Sequence, residues 1–310
     1  MEHLYHLAQA QLERPSLVTI GVFDGVHKGH QHLIRQLVNE AHTHNRQAVV
    51  LTFFPHPDVV LRGLEGRYYL TTPEQKAELL TALGVDCVVT HPFDDGVRQM
   101  RAADFVDQLL RHLKMESLWV GADFAMGYKR EGNVPFLKAQ GAQKGFTVHE
   151  IDLMAAEGAA ISSTAIRQAL GEGQVEQAKA WLGRGYSVRG EVVHGEGRGR
   201  QIGYPTANIA VWKEQVIPAN GVYAGWANLN GERLMAATSV GLNPTFEGGK
   251  QVSVEPYLLD FDRDIYGQQL EVTFETWLRP EEKFSSIEAL IEQIGRDVEA
   301  ARQYLTGQSE

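Results

Sequence analysis

Gly21-Val22-Phe23-Asp24-Gly25-Val26-His27-Lys28-Gly29-His30 is the stretch on which the reading of this chain turns. An apolar run, Leu17-Val18-Thr19-Ile20, precedes it. Leu33, Ile34 and Leu37 follow at helical spacing in a run starting near Gln31. A Gly-rich turn thus joins a strand to a helix N-terminus, where backbone N–H groups and the helix dipole favour a phosphate. His27 and His30 stand at that mouth. Gly29 lies between them, and its missing side chain lets a nucleotide approach the backbone. Imidazoles in this position donate hydrogen bonds to phosphoryl oxygens. Zinc would need a third ligand, and no Cys or HExxH lies nearby. The pattern predicts a site for charge developing on an α-phosphate, not a metal cage.

Outward from this turn, the first half of the chain alternates. Strand-like runs at Leu17–Ile20, Ala48–Phe54, Cys87–Val89, Leu118–Val120 and Phe146–Ile151 enclose helix-like runs. The helices fall at Gln31–Thr43, Pro73–Leu83, Ala103–Leu113 and Pro135–Gln140, then Ser163–Leu170 and Val175–Leu182. Alternation of this kind predicts an α/β domain, a parallel sheet with helices on both faces and ligands at the strands' carboxyl ends. Gly183-Arg184-Gly185 breaks the pattern. Short β runs follow at Tyr186–Val193, Gly221–Leu229, Arg233–Val240, Gln251–Leu259 and Gln269–Trp277, separated by Gly, Asn and Pro turns. They predict a small antiparallel β-barrel, closed by a helix from Ile287 to about Leu305 that packs Ile287, Leu290, Ile291 and Ile294. The expected domains are 1–184 and 185–310.

Composition sets bounds. With 310 residues and 43% apolar residues, the chain has room for two globular cores. A net charge of −10 argues against nucleic acid or an anionic membrane as partner. Cys87 is the only cysteine, which excludes an intrachain disulfide and a thiolate zinc site. Met1 to Pro15 lacks the pattern of a secretory signal, and the longest apolar run is too short to span a bilayer, so the cytoplasm is expected. Oligomeric state is not legible.

Four further motifs bear chemistry. Ser163 and Thr164 open a helix whose hydroxyls serve as caps or phosphate donors, with Arg167 one turn in. Phe54-Pro55-His56-Pro57 ends a strand, and His56 reads as structural or substrate-shaping. Gly195-Glu196-Gly197-Arg198-Gly199-Arg200-Gln201-Ile202-Gly203 is a basic Gly-rich loop whose amides would wrap phosphates. It leads to Thr206 and Asn208, which face one way in an extended segment and offer two neutral oxygens to Mg²⁺ beside ATP phosphates. Glu255, a carboxylate in an otherwise apolar run, is a candidate general base.

The order FDGVHKGH, TFFPHP, VGADF, GN and SSTAIR resembles the adenylyltransferase half of bacterial bifunctional riboflavin kinase/FAD synthetases, within the HxGH nucleotidyltransferase superfamily. PTAN, NGVY, GLNPT, VEPYLLDF, DIYG and LRPE run in an order resembling riboflavin kinases. Together they cover almost the whole chain. The resemblance implies a Rossmann-like N-terminal domain that adenylylates FMN to FAD, and a barrel that phosphorylates riboflavin to FMN. ATP is the implied co-substrate and Mg²⁺ the implied cofactor. His27 and His30 would stabilise the transition state, and Glu255 would deprotonate the ribityl hydroxyl. Gly21, Phe23, Asp24, Gly29, Ser163, Thr164 and Arg167 would line the first ATP site. Gly197, Arg198, Arg200 and Gly203 would cover the second, with Thr206 and Asn208 on Mg-ATP. Asp123, Asn133 and Tyr257 would face flavin. Ala125 and Met126 depart from the usual Arg and aromatic after DF, which keeps open an alternative, a riboflavin kinase with a weak or inactive adenylyltransferase half.

Overall fold

The computed structural model describes residues 2–151, 161–195, 197–244 and 250–307. Thr245 of the GLNPT motif lies outside them. The chain divides into two compact units, Met1–Ser163 and Thr164–Glu310.

In the first unit the strands are β1 (Glu2–Leu4), β2 (Ser16–Ile20), β3 (Gln47–Phe54), β4 (Cys87–Pro92), β5 (Met115–Gly121), the short β6 (Ala125–Met126) and β7 (Gly132–Asn133), and β8 (Thr147–Ile151). The helices are α1 (Lys28–Thr43), α2 (Pro57–Arg62), α3 (Pro73–Ala82), α4 (Asp95–Gln99), α5 (Ala102–Leu113) and α6 (Val134–Lys144). The main sheet is parallel, in the order β1-β4-β3-β2-β5-β8. Alternate residues serve opposite faces: Val18 and Ile20 pack with α5 residues Phe105, Val106 and Leu109, while Leu17 packs with α1 residues Ile34 and Leu37. The chain winds one way from β2 through β3 to β4, then crosses back to place β5 on the other side of β2. The carboxyl ends of β2 and β5 are therefore the switch point, where open α/β sheets bind ligands.

The second unit contains α7 (Ser163–Gly171, whose first residue closes the first unit), α8 (Val175–Leu182), β9 (Tyr186–Val193), the single turn α9 (Arg198–Gln201), β10 (Asn208–Val211), β11 (Gly221–Leu229), β12 (Glu232–Pro244), β13 (Lys250–Leu258), β14 (Gln269–Arg279) and α10 (Ile287–Thr306). The sheet is antiparallel, in the order β10-β9-β14-β11-β12-β13. A bridge between Thr206 and Tyr257, with Ala207 N–H donating to the Pro256 carbonyl at 2.9 Å, brings its two edges together into a nearly closed barrel. Tyr223 and Phe274 fill the interior edge to face.

Three expectations need correction. α1 starts at Lys28 rather than near Gln31, because His27 caps it. α10 does not pack through Ile287, which is 62% exposed. Its contact face is Ala301 and Leu305 with Val298 and Tyr304, because the partly buried Arg279–Asp297 ion pair, at 2.7 Å, occupies the preceding turn. The basic loop is not wholly irregular but contains α9. Sequence reading also missed β1, β10 and α2, all short. The second compact unit includes α7 and α8, and so begins before the change in sequence character at Gly185.

Candidate functional sites in the two units

The turn after β2 is held from several sides. Phe23 and Val26 take positive φ values of 50° and 42°, costly for bulky residues and sustained only by surrounding bonds. The Asp24 carboxylate supplies some of them, accepting from Leu70 N–H at 3.0 Å and Thr71 N–H at 3.2 Å. Ser163 Oγ donates to the Asp24 carbonyl at 2.9 Å. Asp24 and Ser163 thus shape the turn, and Asp24 is 2% exposed.

The two histidines differ. His27 is the N-cap of α1, and its Nδ1 accepts from His30 N–H at 3.4 Å, which places the neutral ring's proton on Nε2. Burial pushes its pKa down to about 4. Its ring stacks on His30, centroids 3.6 Å apart, and Phe23 meets His30 edge-on. Burial, then His27, then the Lys76 charge hold His30 well below the ordinary histidine range. Its Nδ1 is buried without a hydrogen-bond partner. His30 borders a cavity of about 250 Å³ with Gly21, Phe23, Asp123 and Arg130, whereas His27 lies behind it. Gly29 does not leave open space as expected: a Cβ there would stand 3.2 Å from the His27 ring. Its smallness seats that ring.

Beside this lies a larger cleft of about 1110 Å³, walled by Phe53, Phe93, Phe105, Phe124 and Tyr128 and rimmed by Lys129 and Arg130. Phe53 and Phe124 fall within the TFFPHP and VGADF motifs, but sequence does not say which residues wall the flavin, because aromatics from distant parts of the chain share no local spacing. His56 borders the cleft and caps α2, accepting from Asp58 N–H at 2.9 Å. Asn133 lines neither cavity; its side-chain oxygen caps α6 by accepting from Phe136 N–H at 3.0 Å. Thr164 and Arg167 lie in the first turns of α7.

In the barrel, Thr206, Asn208, Glu255 and Arg200 border one cavity of about 410 Å³. The edge bridge brings them together, since it sets the Thr206 segment against β13. Gly195 and Gly197 also border it, and a Cβ on Gly195 would fall 2.3 Å from Asn208 Nδ2, so only glycine admits that side chain. Asp264 and Tyr266 complete the rim, Tyr266 stacking on His194 with centroids 3.8 Å apart. Arg198 opens α9. Gly203, with φ of 86°, serves the chain reversal after α9 rather than the cavity lining. Tyr257 is not in the lining either; it bridges Thr206 and packs edge-on against Tyr204. The donor set is compatible with Mg²⁺: two neutral side-chain oxygens border a cavity with room for phosphates and water. Among the described residues no group of three His, Cys, Asp or Glu is placed to bind a metal.

Residues 9–165 match the FAD synthetase family and residues 182–305 the riboflavin kinase family. The bifunctional riboflavin kinase/FMN adenylyltransferase of Listeria monocytogenes is 41% identical over 93% of this chain and 92% of its own length. The Escherichia coli K12 protein of that name is 37% identical over 97% and 96%. A crystal structure described as a macrolide-efflux protein from Streptococcus pneumoniae superposes with TM-score 0.86 and 31% identity, covering 97% of this chain and 98% of that one. No helix among the described residues is long and apolar enough to cross a membrane. With a parallel-sheet unit carrying paired histidines, a barrel carrying Thr206, Asn208 and Glu255, and both halves matched in order, the chain belongs to the bifunctional riboflavin kinase/FMN adenylyltransferase family.

Proposed function

We propose that the barrel phosphorylates riboflavin at the 410 Å³ cavity and that the parallel-sheet unit adenylylates FMN beside His30. The convergence of Thr206, Asn208 and Glu255 on one cavity carries the reading. Glu255 takes the proton of the ribityl hydroxyl as its oxygen attacks the γ-phosphorus of ATP. The bond from that phosphorus to the β-bridging oxygen breaks, and ADP leaves. Thr206 and Asn208 would hold Mg²⁺, which when bound neutralises phosphate charge. Arg200 and the amides of Gly195, Gly197 and Gly199 orient the phosphates. Catalysis here is chiefly alignment and charge stabilisation.

In the parallel-sheet unit an FMN phosphate oxygen attacks the α-phosphorus of a second ATP, and pyrophosphate departs. His30, neutral at pH 7, donates a ring N–H to the developing charge, and His27 braces its ring from behind. Thr164 and Arg167 are assigned to the ATP phosphates. The aromatic cleft takes the flavin ring, and Lys129 and Arg130 at its rim face the FMN phosphate in place of the basic residue absent at Ala125. The domain division of the two activities is placed at 184/185. Incubation with riboflavin, Mg²⁺ and ATP, followed by separation of the flavins, is expected to yield FMN and then FAD. FMN accumulating without FAD would refute the adenylyltransferase assignment, and no FMN would refute the kinase assignment.

A further inference from the structure

Lys76 stands on the core-facing stripe of α3 with Ala77 and Leu80, and is only 5% exposed. Its ammonium donates to the Val22 carbonyl at 2.9 Å and to Thr52 Oγ1 at 3.0 Å. Thr52 in turn donates to the same carbonyl at 2.8 Å. These partners are neutral, whereas a buried ammonium usually requires a carboxylate, because desolvating a charge costs several kcal/mol. Burial draws its pKa down to about 8, opposed by Asp24. Its field reaches His30, whose protonation it disfavours. The carbonyl it grips belongs to the turn bordering both cavities of this unit.

We propose that Lys76 is a positioning residue for adenylyl transfer: from beneath the turn it fixes the Val22 carbonyl and supplies a buried positive charge facing the phosphates bound beside His30. The proposal rests on the adenylyltransferase reading above. A buried cation acts across low dielectric on charge that grows in the transition state, and is already in place when it does. The same charge adds to burial and to His27 in disfavouring protonation of His30, so its ring remains a donor without becoming a competing cation. The ionisable groups facing Lys76 are Asp24 on the turn, His30 on α1 with His27 stacked against it, and His3 on β1. Of these Asp24 favours the charged ammonium. Bound triphosphate would favour it further.

The test uses the full chain with Lys76→Met and Lys76→Arg, assayed for FAD formation from supplied FMN and Mg-ATP, with riboflavin phosphorylation by the same preparations as control. Lys76→Met is expected to lower kcat for FAD formation about 10- to 100-fold with little change in KM for FMN, phosphorylation remaining normal. Lys76→Arg should restore most of the loss. Wild-type kcat/KM for adenylylation should fall above about pH 8, and this limb should move to higher pH in Lys76→Arg. Full activity in Lys76→Met overturns the proposal. So does a loss that Arg does not restore accompanied by an unmoved alkaline limb, the mark of a purely structural role. Should Lys76→Met fail to fold, the limb decides: its absence in wild type, or its persistence in Lys76→Arg, is fatal. Failure of the wild type itself to make FAD would overturn the adenylyltransferase reading and this proposal with it.

Discussion

Changing His27 to Asn keeps one role of that side chain and removes the other. Asn caps helices as well as any residue, so it would still accept from the first-turn amides of α1. It has no ring to stack on His30. His27→Ala removes both. The native cap bond is long, 3.4 Å, so its loss sits at the lower end of the usual range, about 0.5 kcal/mol. Native-state hydrogen exchange of the first turn of α1 reads that difference between the two variants. FAD formation should drop in both by about two powers of ten, as for loss of an oriented transition-state donor. The acid response adds a signed check. The unfolded chain protonates His27 near pH 6.5 and the folded chain only near pH 4. Between those values the unfolded state holds the extra proton, so stability is intact above pH 6.5 and falls toward pH 4. For His27 alone that loss is at most roughly 3 kcal/mol, and His27→Asn should lack it. Wild-type FAD synthesis in His27→Asn would refute the bracing of His30 by the His27 ring. Equal exchange protection in Ala and Asn variants would refute the cap.

Other outcomes follow from single contacts. Asp297→Ala leaves the partly buried Arg279 without the carboxylate that accepts three of its hydrogen bonds, and should destabilise the barrel unit by about 1–3 kcal/mol in urea unfolding. Gly195→Ala should push Asn208 aside and lower riboflavin phosphorylation at least about tenfold, with FAD formation from FMN retained. A fragment starting at Thr164 should melt well above one starting at Gly185. Only the longer one keeps the buried Ala178 and Leu182 and the Lys179–Glu275 ion pair, worth several kcal/mol together; equal melting in circular dichroism would show that α8 contributes nothing.

The sequence made the architecture readable because its long elements are periodic. Val18 and Ile20 against Leu17, and Leu33, Ile34 and Leu37 along α1, state their faces directly. What escaped was local or non-local in the wrong way. Glu2–Leu4 is a short edge strand whose pairing partner β4 lies far along the chain. Lys76 reads as an ordinary helix cation unless one notices that it falls on the stripe of Ala77 and Leu80, the one signal that would have found it. The aromatic cleft is assembled from distant Phe53, Phe93, Phe105 and Phe124, which only the sheet brings together. Asn133 and Gly203, taken from the GN motif and the Gly-rich loop, satisfy backbone needs in this structure, a helix cap and a positive φ. Thr206, Asn208 and Glu255, picked by residue type and order, border one cavity because of a barrel closure no spacing could reveal.

The division of labour between the two units is tested most directly by following flavin products with His30→Ala and Glu255→Gln in parallel. Given riboflavin and Mg-ATP, His30→Ala should stop at FMN, its FAD formation reduced by about two to three powers of ten. Glu255→Gln should phosphorylate riboflavin about two to four powers of ten more slowly, yet convert supplied FMN to FAD at the wild-type rate. Unchanged FAD formation in His30→Ala together with unchanged phosphorylation in Glu255→Gln would contradict both site assignments, and loss of both activities in each variant would contradict their separation.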